Sequence, residues 1–235
     1  MTTHGERDAT ERLVAIDAAL RSVYGGVPRG STPLGNKRNP LDELVFIQLS
    51  VRTPEREYES IYRAFRRFVG GRWERLLTAN REEAVEVLRR GGMARVKVAR
   101  LVDTLLRLRE RFGRVTLAPL RRMADAEAEE VLLDLPGVGR KVARCVLMYS
   151  LDRDVFPVDS HCFRLLDRLG YTTPGRAYRQ AHDELQARVP PPVRRSLHVN
   201  FIRHGRAVCT PQDPQCPTCV LLPSCPTGRA GIVTA

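Results

Sequence analysis

Lysine is scarce in this 235-residue chain. Of its 39 lysines and arginines, only Lys37, Lys97 and Lys141 are lysine. A cationic surface needs no lysine, because arginine carries the same charge on a wider donor fork. Each lysine that remains therefore raises the question of what an amine does there. Long apolar runs are missing too. No stretch approaches the roughly 20 apolar residues needed to span a bilayer. The opening "MTTHGERDAT" lacks the apolar core of a signal peptide. These absences argue against a membrane role and lead to the expectation of a cytoplasmic chain with reduced thiols. Six cysteines in such a compartment point to metal binding more than to disulfides. Sustained period-two alternation, internal repeats and low-complexity tracts are also missing, so a sheet is not expected.

What is present is positive charge. The formal net charge is +12 and the pI about 10.1. A domain this basic seeks polyanions, with nucleic acid the default candidate; solubility and an arginine-rich genome are the bland alternative. The length suffices for one large domain or two modest ones.

The apolar spacing is helical nearly throughout. "TERLVAIDAALRSVYG" puts Leu13, Ile16, Ala19 and Leu20 on one face, with Gly25 as the stop. A Gly/Pro/Ser-rich connector follows. Pro40 then opens "PLDELVFIQLSV", apolar enough for a buried helix. "PEREYESIYRAFRRFVGG" starts on Pro and acids and stops at a glycine pair. Further helices are expected in "REEAVEVLRRGG", "ARVKVARLVDTLLRLRERFG", "DAEAEEVLLDL", "KVARCVLMYSL", "DSHCFRLLDRLG", "GRAYRQAHDELQARV" and "VRRSLHVNFIRHGRAV". The expected class is all-α, with short connections between packed helices.

Lys141 sits in "LPGVGRKVA", between two of these helices. Gly137 and Gly139 allow a tight turn and close approach of another chain. The next helix starts there, so its first N–H groups point outward and can bind phosphate without reading sequence. An ordinary helical hairpin is the plain alternative. A guanidinium stays protonated and cannot attack an electrophile, whereas an amine attacks once it loses its proton. Burial and the positive end of a helix dipole both favour the neutral amine. A solvated phosphate contact is the commoner fate of a lone lysine. Eighteen residues on, Asp159 in "PVDSHCFRLLDRLG" reads as an N-cap. A carboxylate held rigid in that way can also stabilise a developing cation or help to deprotonate an amine.

Cys209, Cys216, Cys219 and Cys225 form a C-x6-C-x2-C-x5-C run. Four thiolates in one compact loop can hold a cubane [4Fe-4S] cluster, and structural zinc is the rival. Zinc modules usually show two short knuckles far apart, which this run does not. Cys145 and Cys162 lie on apolar helix faces and read as core.

The hairpin "LPGVGRK", the following "VDSH" and the closing cysteine run together resemble the endonuclease III family of DNA glycosylase/AP lyases, in the helix-hairpin-helix superfamily. The likeness runs from about residue 10 to 226. It implies two helical domains: a six-helix barrel over 36–146, and a second domain combining 1–35 with 147–235 and the cluster loop. It implies that Lys141 and Asp159 face each other across a DNA-binding cleft. Lys141 would be the nucleophile that expels the damaged base, and Asp159 its electrostatic aid. Gly137, Val138, Gly139 and Arg140 would meet the DNA backbone. Arg52 and Met93 would wedge into the gap left by a flipped nucleotide. Ser160 and His161 would border the base pocket, although His161 reads equally well as a structural histidine. The implied partner is double-stranded DNA with a damaged base or abasic site. The protein is expected to be a monomer in the cytoplasm, associated with the nucleoid, with no membrane partner.

Four departures from the family pattern stand out. Many relatives carry glutamine where Arg52 stands, leucine where Met93 stands and an aromatic where Ala94 stands. The interval "TPQDPQ" lacks the basic residues often found there. The expected activity is a bifunctional glycosylase for oxidised or saturated pyrimidines. A mismatch or adenine glycosylase is the second reading, weakened by the lysine and by the short tail after Cys225. A non-catalytic helix-hairpin-helix DNA-binding protein is the third, and the pairing of Lys141 with Asp159 argues against it.

Overall fold

The computed structural model describes residues 4–175 and 177–233. Among them there is no strand. The helices, in chain order, are α1 (His4–Tyr24), α2 (Pro40–Ser50), α3 (Tyr58–Phe68), α4 (Arg81–Leu88), α5 (Ala94–Phe112), α6 (Asp125–Leu133), α7 (Arg140–Leu151), α8 (Ser160–Arg168), α9 (Ala181–Arg188), α10 (Arg194–Ala207) and α11 (Pro226–Val233). They divide into two compact units, one of Leu34–Arg153 and one of Met1–Pro33 with Asp154–Ala235. Among the described residues no helix is long and apolar enough to cross a membrane.

The unit of residues 34–153 is organised on α2. Asn39 caps it, accepting from the Leu41 and Asp42 amides at 2.9 and 3.2 Å, and Pro40 supplies the first turn. Such a cap contributes about 1 kcal/mol. The helix is apolar on nearly every side and buried along most of its length, as befits a core helix. α3 is amphipathic and turns Ile61, Tyr62 and Phe65 inward. There Phe46, Tyr62, Phe65 and Trp73 form an aromatic cluster with centroids 5.6–6.3 Å apart.

α7 carries the buried run Ala143–Ser150 and is capped at its C-terminal end by Asp152, which adopts φ 54°. The domain boundary expected between residues 146 and 147 therefore falls inside a continuous helix. The division comes at 153/154 instead, because the apolar "VLMYS" keeps the last two turns packed.

In the other unit, α1 presents Leu13, Ile16 and Leu20 to a core completed by Phe156, Leu166 and Phe201, as its spacing predicts. Cys162 lies in that core, and Cys145 is buried in α7. Two local expectations are corrected. The helix expected from Gly175 begins only at Ala181, after a 3-10 turn at Tyr178–Gln180. The Tyr178 hydroxyl donates to Val158 O at 2.8 Å, and this bond holds the segment in place. Arg176 lies outside the described residues. Conversely, α11 forms beyond Cys225, where no helix was expected.

Candidate active site and cysteine loop

The α6–α7 hairpin is closed by a hydrogen bond from the Val138 amide to Leu135 O, 3.1 Å. Gly137 takes φ 73°, and a Cβ there would lie 2.9 Å from the Arg100 side chain of α5. Both the backbone angle and the crowding require glycine. Val138 is buried and its N–H is spent within the turn, so this residue shapes the loop. Gly139 is the extended cap residue, and α7 begins at Arg140. Arg140 and the buried Arg144 both reach Glu129 Oε1, at 3.4 and 2.9 Å, which straps α7 to α6. The Gln48 side chain donates to Pro136 O at 3.1 Å and ties the turn to α2.

Lys141 lies in the first turn of α7, half-buried. Its charge is felt by Glu43, a fully buried carboxyl of α2. Burial pushes the Glu43 pKa up to about 7, against hydrogen bonds from the Lys37 amide and the Asn36 side chain, both 2.5 Å, and the charges of Lys141 and Lys37. A carboxyl that gains and loses its proton near neutrality thus lies within electrostatic reach of the amine.

In the other unit, Asp159 is half-buried and caps α8, its Oδ1 accepting from the Cys162 amide at 2.7 Å. Ser160 is exposed. His161 packs against Gly205 of α10, where a Cβ would stand 2.6 Å from its Nδ1. Arg164 donates to that Nδ1 at 3.0 Å. Burial pushes the His161 pKa down, against the opposing Asp159 charge.

Cys209, Cys216, Cys219 and Cys225 line one cavity of about 200 Å³. All four are free thiols. Arg168 donates to Cys209 Sγ at 3.1 Å and to Thr210 O at 2.8 Å, fastening α8 to the loop. The Gly228 amide, in α11, reaches Cys225 Sγ at 3.3 Å. His204 Nε2 lies 3.3 Å from Cys219 Sγ, and its Nδ1 lies 3.0 Å from the Tyr24 hydroxyl. Burial raises the Tyr24 pKa, so the phenol keeps its proton. The two ring nitrogens of His204 are thus held between a phenol and a sulfur. Burial and the three neighbouring sulfurs raise the Cys219 pKa. Among the described residues no three His, Cys, Asp or Glu converge on a single point as ligands of one ion. The thiols instead surround a void, and as thiolates they repel one another unless a cation lies between them.

No family model matches the chain. It is 31% identical over 223 residues to endonuclease III of Synechocystis sp., an alignment covering 94% of each chain. The chain belongs to the endonuclease III family. It is also 29% identical over 170 residues to a putative DNA glycosylase of Arabidopsis thaliana, covering 72% of this chain and 57% of that relative's length. Its fold matches that of endonuclease III in a trapped covalent DNA intermediate, with TM-score 0.78 and 21% identity over 99% of this chain and 100% of the other.

In this endonuclease III family member, sequence reasoning picked out Lys141, Asp159 and the four cysteines but passed over Glu43, Arg168 and His204. Glu43 carried a faint signal, an acid at the head of an apolar run. Arg168 and His204 carried none, because each meets its sulfur across 41 and 15 residues of chain.

Proposed function

We propose that this protein is a bifunctional DNA glycosylase and AP lyase for oxidised or saturated pyrimidines in duplex DNA. The observation that carries the reading is Lys141: one of only three lysines, half-buried at the start of a helix that follows a glycine-rich turn, its charge felt by Glu43. The first amides of α7, at Gly139 and Arg140, offer a phosphate site that ignores sequence. The neutral Lys141 amine attacks C1′ of an extruded nucleotide, and the base departs with the bonding electrons. The sugar ring opens as the C1′=N imine forms. Loss of a C2′ proton then expels the 3′ phosphate and nicks the strand. Asp159 steadies positive charge on the sugar during the first step. Glu43 is suited to take the proton that the ammonium sheds.

The test is a panel of duplexes, each bearing thymine glycol, dihydrouracil, uracil, 8-oxoguanine or a bare abasic site. Release of the saturated or oxidised pyrimidines with nicking 3′ to the lesion is expected. Release of no base, or release without a nick, would reject the reading.

The cysteine loop fits a [4Fe-4S] cluster held by Cys209, Cys216, Cys219 and Cys225. Four sulfurs around a void suit a polynuclear centre better than one tetrahedral zinc ion. When bound, the cluster supplies a rigid cross-link and a one-electron centre. Arg168 and His204 contribute hydrogen bonds to its thiolates. Protein purified without oxygen is expected to be brown and to hold about four iron atoms per chain. A colourless preparation loaded with one zinc would overturn the assignment.

A further inference from the structure

Lys97 is buried, 5% exposed, in the first turns of α5. Burial pushes its pKa down, with no carboxylate among the causes. Keeping an ammonium there is unfavourable unless its protons are well bonded. Two bonds are present, one to Thr53 Oγ1 and one to Gly91 O, both 2.7 Å. The Thr53 hydroxyl in turn lies 2.7 Å from both Leu49 O and Gly91 O. Lys97 thus bridges the turn after α2 to the turn before α5. Gly91 is closely surrounded: a Cβ there would lie 3.0 Å from Ile61, 3.2 Å from Thr53 Oγ1 and 3.5 Å from the Lys97 amine.

These are the two turns that carry Arg52 and Met93. Both residues are left-handed, φ 53° and 52°, and neither is glycine. Each such residue is strained and persists only where its surroundings enforce it. Both side chains are exposed, Met93 beside Val51 and Val96. The turns touch, since a Cβ on Gly92 would lie 3.3 Å from Arg52 O. Met93 and Lys97 also share a small hollow with Gly137 of the hairpin. Two strained residues, pointing outward and pinned from beneath by a costly buried cation, make a preorganised surface.

We propose that Lys97 is a positioning residue whose ammonium locks the two turns together, so that Arg52 and Met93 enter the base stack of damaged DNA as one rigid wedge. The inference rests on the reading that this protein extrudes a nucleotide from a duplex. A loose wedge would have to be ordered at the moment of insertion, which weakens the extruded state. The test uses a duplex with a tetrahydrofuran abasic analogue opposite 2-aminopurine, whose fluorescence rises when it is unstacked. Wild type should bind and raise the fluorescence. Lys97→Met should bind but lose most of the rise, and Thr53→Val should do the same, so the test survives if one variant folds poorly. Adding Lys97→Met to Met93→Ala should cost nothing further. The proposal is overturned if wild type gives no rise, if both variants keep the full rise, or if they lose binding and fluorescence in proportion. The analogue cannot form an imine. Failure of the Lys141 chemistry therefore shows separately, as an intact fluorescence response without a borohydride adduct.

Discussion

Borohydride added to the protein on an abasic duplex is expected to leave a covalent protein–DNA adduct, and Lys141→Arg to abolish it. The aldehyde of the opened sugar condenses with the amine, water leaves, and hydride fixes the C=N bond as a stable amine. A guanidinium keeps the charge at residue 141 but cannot condense in this way. Duplex affinity should therefore change little, while single-turnover strand scission falls on the order of 10³-fold or more, as expected on deleting a covalent nucleophile. Gel mobility of the adduct and a binding isotherm on the same preparation separate the two effects. An adduct of undiminished yield in the variant would reject Lys141. The neighbouring lysines sharpen the comparison. Lys37 lies over the Phe46 and Tyr62 rings at 4.4 and 4.7 Å and pairs with Glu59, and Lys97 is bonded beneath the wedge turns. Both amines are committed to structure.

Asp159→Asn should separate capping from catalysis. Asparagine caps a helix about as well as aspartate, so it can accept from the Cys162 amide as Asp159 does, and the melting temperature should hold. The charge that steadies a cationic sugar is gone, and single-turnover base excision should drop about 10²- to 10⁴-fold. Asp159→Ala should show the same kinetic loss plus about 1 kcal/mol of stability from the missing cap. If Asp159→Asn excises bases at the wild-type rate, Asp159 is only the cap of α8.

The residues of both predictions are visible before folding. Lys141 and Asp159 each announce themselves locally, through a glycine turn before one helix and an acid before another. The cysteines do so by spacing. By contrast, the worth of Arg52 and Met93 as a unit depends on Thr53 and Lys97, which are 44 residues apart in sequence. The carboxyl that titrates near Lys141 is Glu43, which enters through the packing of α2 against α7. The Cys219 sulfur meets a histidine whose other nitrogen is bonded to Tyr24, 180 residues away.

Helix positions, the hairpin, the cap at Asp159 and the four-cysteine loop were readable from residue order, because periodicity, capping and turn chemistry act over a few neighbouring residues. The exceptions lie at ends: α9 starts late because a tyrosine bond overrides its periodicity, and α7 runs past the expected boundary because its apolar face stays packed. Which carboxyl titrates near neutrality, which sulfurs receive hydrogen bonds and which turns are tied together were decided only by the folded core. Those properties arise from desolvation and from contacts between distant segments, and neither exists until the helices have packed.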